Sequence, residues 1–449
     1  MRKGIRILSG LLALVMAAVM LLCPAEAITY EPDFTPTSKA VYLENLDTGL
    51  ILYEKNADEK MYPASLTKIM TAIVVLENVK DLDGETAEYP MWIQNMLYGT
   101  NASLGGLIVG EELTIRQLLT SALVQSGNES AMILAGYVGS GGMADFMPRD
   151  ITTFVEMMND KAKALGCTGT HFTNPTGLHS DNTYTTARDM AIMAKYAMQK
   201  SAFSSIVKNY AVQLGQTNKH ADLWQYSTNK MLLTSSPYYY APVVGIKTGS
   251  TDEAGRCVIS QAEDSGYHYF CVVMGSPVTA AEPYQNFIET RQLYRWAFGN
   301  FSLRTLLEQG ELMAEVPVKY SGDGKVAKLA IKEDVVQLLR DDISLDSIIY
   351  KAELPEFVEA PIAAGDTVGK MHIMLMGEEI GTVELVATQA FSLSWFRKAL
   401  GTIGSLLSST VAKVIFIVVV LAIAGYIVYA VRHNKKRKKH RSKYSDRNY

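Results

Sequence analysis

Residues 414–431 read VIFIVVVLAIAGYIVYAV, eighteen in a row without a charge, and the block Arg432-His433-Asn434-Lys435-Lys436-Arg437-Lys438-Lys439 follows at once. As a helix rising about 1.5 Å per residue the run is roughly 27 Å long, near the thickness of a bilayer's hydrocarbon core. Its β-branched residues would also suit a buried strand pair, but no turn residues divide it. A transmembrane helix over 411–431 and a basic tail over 432–449 are therefore expected. Basic residues beside a span stay on the cytoplasmic side, so the expectation is a single-pass cell-membrane protein with an extracytoplasmic body.

The other end fits that orientation. Arg2, Lys3 and Arg6, the apolar run Leu11–Leu22 and the small-residue site Ala25-Glu26-Ala27 have the layout of a secretory signal peptide over residues 1–27. An uncleaved N-terminal membrane helix is the alternative. A lipoprotein reading through Cys23 fits less well, because large Leu22 precedes it and Pro24 follows.

Charge excludes one class of partner. The chain carries −4 overall, but residues 432–449 alone hold +8 and residues 1–27 hold +2, which leaves −14 for everything between. A body that acidic is a poor nucleic-acid binder, since such affinity rests on neutralising phosphates. Beyond Cys23 the thiols are Cys167, Cys257 and Cys271. That odd number argues against a disulfide framework. Cys257 and Cys271 flank a hairpin turning at Glu263-Asp264-Ser265-Gly266 and could face one another, although buried free thiols are the simpler expectation.

Between the ends, AVYLEN and LILYEK around Asp47-Thr48-Gly49 predict two strands. Helices are predicted over 65–77, 114–126, 129–137, 145–165 and 186–200, then strands over 242–247, 256–262 and 267–274 and a helix over 283–298. Strands at both ends with helices between imply one mixed domain, 28–305, whose sheet joins distant segments. Over 310–390 the texture changes to short alternating stretches (EVPVKY, VAKLAI, MHIMLM, GTVELVA), which predict a small all-β domain. Phe391, Trp395, Phe396, Leu400, Ile403 and Leu407 then recur at helical spacing, an amphipathic segment over 391–410 that could lie on a membrane or extend the span.

Three short motifs carry chemistry. Ser65-Leu66-Thr67-Lys68 opens an apolar-periodic helix after Pro63. Pro and Ser there are ordinary helix-start residues, but i and i+3 share a face, so Lys68 can reach the Ser65 hydroxyl. A serine needs such a base to become nucleophilic, and a lysine serves if burial or nearby positive charge holds it neutral. Ser126-Gly127-Asn128 falls at a break between helices. It can cap the second helix, or supply a proton-relaying hydroxyl and an amide for a substrate carbonyl and Lys68. Lys247-Thr248-Gly249-Ser250 ends the stretch VVGIK. Lys247 and Thr248 suit an anionic substrate terminus, and Gly249 would let a substrate backbone approach.

Each motif alone is weak. In the order S-x-x-K, S-x-N, K-T-G, at a helix start, a helix junction and a strand, they form the set shared by penicillin-binding proteins and class A β-lactamases. The chain resembles the low-molecular-mass penicillin-binding proteins that act as serine-type D-alanyl-D-alanine carboxypeptidases. The wider strings YPASLTKIMTA, SGNESA, FTNPTGL, TTARDMA and GIKTGSTDEAGRC fit that family over residues 36–300. Glu359-Ala360-Pro361-Ile362 and Ala364-Gly365-Asp366-Thr367-Val368-Gly369 echo its C-terminal domain more loosely.

The resemblance implies an α/β penicillin-binding transpeptidase/β-lactamase-like domain, an antiparallel sheet with helices, followed by the β domain and the transmembrane helix. It implies that Ser65 attacks the carbonyl between the last two D-alanines of a peptidoglycan stem peptide and forms an acyl-enzyme. Lys68 would be the general base and Ser126 the donor to the leaving D-alanine. Asn128 would position peptide and base, and Lys247 and Thr248 would bind the terminal carboxylate beside Gly249. The Ser65 and Ser250 amides would form the oxyanion hole. β-Lactams would bind covalently, with no metal or organic cofactor. Many relatives have His-Tyr where this chain has Thr183-Tyr184, with His179 four residues earlier.

Three alternatives share the nucleophile. A class A-like β-lactamase also needs a Glu-x-x-Leu-Asn element to position water, and none follows the S-x-N here. A non-hydrolytic penicillin-binding sensor would be expected to carry a larger cytoplasmic output than eighteen tail residues. A transpeptidase is not separated from a hydrolase by these motifs.

Overall fold

Strands separated by two hundred residues build one sheet. The computed structural model describes residues 30–408 and 410–445; the signal-peptide reading over 1–27 and the last tail residues lie outside them. Ala40–Asn45 (β1) and Ile51–Lys55 (β2) fold back around Gly49, whose φ is +74°, with Thr48 N donating to Asn45 Oδ1 at 2.9 Å. Lys247–Thr251 (β3), Gly255–Asp264 (β4) and Tyr267–Ser276 (β5) complete an antiparallel sheet in the order β2-β1-β5-β4-β3.

Side chains alternate across a strand, yet every residue of β1 is buried, so both faces of the sheet are covered. Ala40, Tyr42, Phe270, Val272 and Met274 join one large core with the helices Lys68–Asn78 (α1), Asn128–Gly139 (α2), Pro148–Ala164 (α3) and Ala187–Met198 (α4). Val41, Leu43, Cys271 and Val273 are equally buried on the other face. There the helix Gln285–Asn300 (α5) is tied down by Tyr294 Oη, which donates to Ser260 O at 2.7 Å. Residues 68–75 at the start of α1 are buried all round, as an interior helix is.

Three local expectations are corrected. The helix expected from residue 65 begins as a 3₁₀ turn, Ala64–Thr67, with α1 proper starting at Lys68. The helix expected over 114–126 is α-helical only over Ile115–Thr120, capped by Thr114, and then widens to a π-turn over Ser121–Gln125 that stops at Ser126. The strand expected over 242–247 begins only at Lys247; Gly245, at φ +129°, interrupts the extended stretch before it.

Among the described residues the thiols are unpaired. Cys257 stands opposite Gly249 and Cys271 opposite Ser260, so the hairpin register keeps them apart. Cys167, Cys257 and Cys271 are all free and buried, and burial pushes Cys167 up to about 12 and Cys257 up to about 11.

The first compact unit runs through Ser302 and takes in Leu338–Asp342, where Asp341 N donates to Asn300 O at 2.9 Å. The second comprises the remaining residues from Leu303 onward. It holds Leu312–Lys319 (β6), Val326–Ile331 (β7), Ile348–Glu353 (β8), Val358–Glu359 (β9), Thr367–Leu375 (β10) and Glu378–Ala387 (β11) in the order β8-β10-β11-β7-β6-β9. Phe391 belongs to this β unit and not to the amphipathic helix. It is 1% exposed, and Phe391 N donates to Ile362 O at 2.8 Å. The helix starts at Trp395 (α6, Trp395–Ser408), with Trp395, Phe396 and Leu400 exposed. The last helix is Thr410–Ser445 (α7); its Lys413–His433 stretch is long and apolar enough to cross a membrane.

Candidate active site

Ser65 sits one residue after a backbone position that alanine rarely adopts: Ala64 has φ +48°. The FTNPTGL turn supports it. Asn174 Oδ1 accepts from Thr176 N, Thr176 Oγ1 and Gly177 N at 3.1, 2.8 and 2.8 Å, which folds the loop tightly. Gly177, at φ +80°, lies so close that a Cβ there would stand 1.8 Å from Ala64 O. The same turn aims Thr176 O at Lys68.

Lys68 is fully buried. Its Nζ lies 3.0 Å from Ser65 Oγ, 2.8 Å from Asn128 Oδ1 and 2.7 Å from Thr176 O. Burial holds its pKa well below the usual lysine value, the ammonium of Lys247 lowers it further, and Glu129 opposes both. A neutral amine has two N–H donors and one lone pair. In that form Asn128 Oδ1 and Thr176 O, both pure acceptors, would take the two N–H groups and leave the lone pair for the Ser65 hydroxyl, a group that can donate. The geometry is that of a base facing a nucleophile.

The orientation of the Asn128 amide is fixed from behind. Asn128 N and Nδ2 both donate to Ser103 O, at 2.9 and 3.0 Å, so Oδ1 is the atom left facing Lys68. Ser126 adopts the left-handed region, φ +67°, at the end of the π-turn, and lines the cavity. A Cβ on Gly127 would lie 2.9 Å from Ser121 Oγ and 3.2 Å from Gly105 N, so a larger residue would not fit this junction.

Gly249 permits a close approach within the fold itself. A Cβ there would lie 2.9 Å from Pro63 O and 3.2 Å from Ser65 N, so its small size lets β3 pack against the backbone at Ser65. Thr248 Oγ1 is 2.5 Å from Thr228 Oγ1. Lys247 is 1% exposed and donates to Thr248 O at 3.1 Å; burial lowers it to about 7.

A cavity of about 370 Å³ opens over these groups. Of the residues singled out in the sequence, Ser65, Ser126, Thr248, Gly249 and Ser250 line it. Lys68, Asn128 and Lys247 lie behind that wall, each under 4% exposed. Thr183 does not reach the cavity; its hydroxyl is 2.5 Å from Thr173 Oγ1. His179 packs edge-on against Tyr62, with Asp181 and Glu253 nearby. Sequence reasoning missed Thr176, whose contribution is a backbone oxygen, and Arg256, which lines the cavity from β4. The Asn-Pro-Thr-Gly turn signal was visible; its target was not. Among the described residues no group of His, Cys, Asp and Glu is placed to hold a metal ion.

The profile of the D-alanyl-D-alanine carboxypeptidase family matches residues 26–278, and that of the C-terminal domain of penicillin-binding protein 5 matches residues 301–392. D-alanyl-D-alanine carboxypeptidase DacF of Bacillus subtilis is 29% identical over 396 residues, covering 86% of this chain and 95% of its own. The D-alanyl-D-alanine carboxypeptidase of Streptomyces sp. strain K15 is 34% identical over 272 residues, 59% of this chain and 88% of that one. The crystal structure of penicillin-binding protein 5 from Haemophilus influenzae superposes with a TM-score of 0.60 at 26% identity, over 81% of this chain and 100% of that one. The chain belongs to the D-alanyl-D-alanine carboxypeptidase family.

Proposed function

We propose that this protein removes the terminal D-alanine from peptidoglycan stem pentapeptides through an ester on Ser65. The observation that carries the reading is the setting of Lys68: buried, its pKa held well below the usual lysine value by that burial, and bonded to two carbonyl oxygens beside Ser65. Lys68 accepts the Ser65 proton as Oγ attacks the carbonyl between the last two residues. The developing oxyanion is received by the amides of Ser65 and Ser250, a type of contact typically worth ~10²–10³-fold in rate per donor. Ser126, which lines the cavity, hands a proton to the departing D-alanine nitrogen. Asn128, bonded to Ser103 O from behind, keeps Lys68 in register. Thr248 contributes at the carboxylate end, and water then releases the shortened peptide.

The catalytic region is assigned to 28–305 and the β domain to 310–390. The apolar stretch Lys413–His433 is the membrane anchor, with the body outside and the basic tail in the cytoplasm, an orientation supported by the Lys/Arg block that follows it. Export through residues 1–27 follows from the same reading. The test is D-alanine release from a stem pentapeptide by the purified protein. Multiple turnover per enzyme supports the carboxypeptidase. Stable penicillin labelling without peptide cleavage would support a sensor, and rapid penicillin hydrolysis a β-lactamase.

A further inference from the structure

The last helix is longer than a membrane requires. Thr410–Ser445 (α7) has 36 residues, about 54 Å at 1.5 Å per residue. Its Lys413–His433 stretch, 21 residues and about 31 Å, already suffices for a hydrocarbon core of about 30 Å. The helix then continues over residues 434–445, a further ~18 Å. Those residues hold seven Lys or Arg and no Asp or Glu. The catalytic reading gives them no task.

Depth is what the cations share. Lys435, Lys436, Arg437, Lys438 and Lys439 are consecutive, and at about 100° per residue their positions encircle the helix, so no single face collects them. From His433 to Lys439 the helix rises about 9 Å, close to one Debye length, ~8 Å at physiological ionic strength. Arg441 and Lys443 stand about 12 and 15 Å out, where charge at the membrane surface is largely screened. The stacked rings of Tyr429 and His433, 5.9 Å apart, sit at the level where amphipathic rings gather at a membrane–water interface.

We propose that the five consecutive cations form a collar that binds the headgroups of anionic phospholipids in the cytoplasmic leaflet. This rests on the orientation given above, with the basic tail in the cytoplasm. The spanning helix cannot leave the leaflet, so headgroups face the collar at a permanently high local concentration, an advantage that no anion arriving from solution has. The attraction does not come from the rest of the exported chain, since residues 28–431 carry −14.

The experiment reconstitutes the full chain in vesicles of mixed phosphatidylcholine and phosphatidylglycerol with a trace of one lipid spin-labelled. Electron spin resonance reads the share of label slowed against the protein. Both leaflets carry the same lipids, so insertion direction does not affect the reading, and flotation removes chains that fail to insert. At about 0.1 M salt, phosphatidylglycerol should be preferred about five-fold, the worth of one cation at a membrane surface. At about 1 M salt, where the Debye length is ~3 Å, the preference should nearly vanish. Lys435→Gln, Lys436→Gln, Arg437→Gln, Lys438→Gln and Lys439→Gln combined should bring it near parity and leave D-alanine release unchanged. Arg441→Gln with Lys443→Gln, or Lys413→Gln at the other end of the span, should each leave at least half of it. A preference that survives the five substitutions or high salt would overturn the proposal, as would a distal pair that matters as much as the five. Saturable RNA binding by a chain without lipid preference would also overturn it. Protease added outside intact cells separates the two readings. Cleavage at residues 435–439 refutes the orientation and the collar together, whereas a protected tail without lipid preference refutes the collar alone.

Discussion

Gly177→Ala should cripple the nucleophile from outside the cavity. The new methyl would stand 1.8 Å from Ala64 O and 2.4 Å from its carbon, where real contacts keep at least 3.0 Å. The Ala64–Ser65 peptide must therefore retreat by roughly 1.2 Å, and a displacement of about 1 Å at a reacting group can cost ~10²-fold in rate. A left-handed alanine adds about 1–2 kcal/mol of strain to the folded state. The control is Gly166→Ala, at φ +83° with nothing within 4 Å, which carries the strain without the collision. Acylation by a fluorescent penicillin, timed on a gel, reads the rate, and calorimetry reads the stability. Both variants should lose stability, and Gly177→Ala should acylate about 100-fold more slowly while Gly166→Ala stays within about two-fold. Equal acylation rates in the two variants would refute the claim that this turn positions Ser65.

Three further outcomes follow from the same geometry. Acylation needs neutral Lys68, so its rate rises with pH through the Lys68 pKa; Lys247 lowers that pKa, and Lys247→Met should therefore move the acid limb of the kcat/KM profile to higher pH, whereas an unmoved or downward-shifted limb counts against the coupling. Because Cys167, Cys257 and Cys271 are free and buried, reductant should leave the melting temperature unchanged and a thiol reagent should react only after unfolding; a melting point that falls on reduction would contradict this. A chain ending at Lys398 keeps the bonds from Ser394 N to Tyr320 O, 2.7 Å, and from Arg397 Nη1 to Ser321 O, 2.6 Å, so it should be soluble and fully active, and an inactive product would show that the anchor matters to the site.

The motif residues were legible because their chemistry is local. Ser65 and Lys68 lie on one helical face at a fixed spacing, and the order of the three motifs limited the fold to one with a helix start, a helix junction and a strand around one site. What sequence could not show depends on pairing across the fold. Thr176 acts through its carbonyl, which any residue type would supply, and only the Asn174 turn determines where it points. Arg256 reads as an ordinary strand residue until the β3–β4 register sets it opposite Ser250. Gly249 announced a close approach, but that the backbone at Pro63 and Ser65 packs there could not be read from the sequence. The π-turn at Ser121–Gln125 also left no periodicity signal, since a helix pattern of this length does not separate α from π winding. Phe391 continued an apolar repeat by coincidence of spacing, while its backbone bonds bind it to Ile362.

The central claim is that Ser65, activated by Lys68, carries the acyl group. The direct measurement is peptide-mapping mass spectrometry of the purified protein after exposure to benzylpenicillin, alongside Ser65→Ala and Lys68→Ala. The account predicts one adduct per chain on the peptide that contains Ser65, none in Ser65→Ala, and formation slowed by ~10²–10⁴-fold in Lys68→Ala. An adduct on another residue, or one that persists in Ser65→Ala, would contradict it.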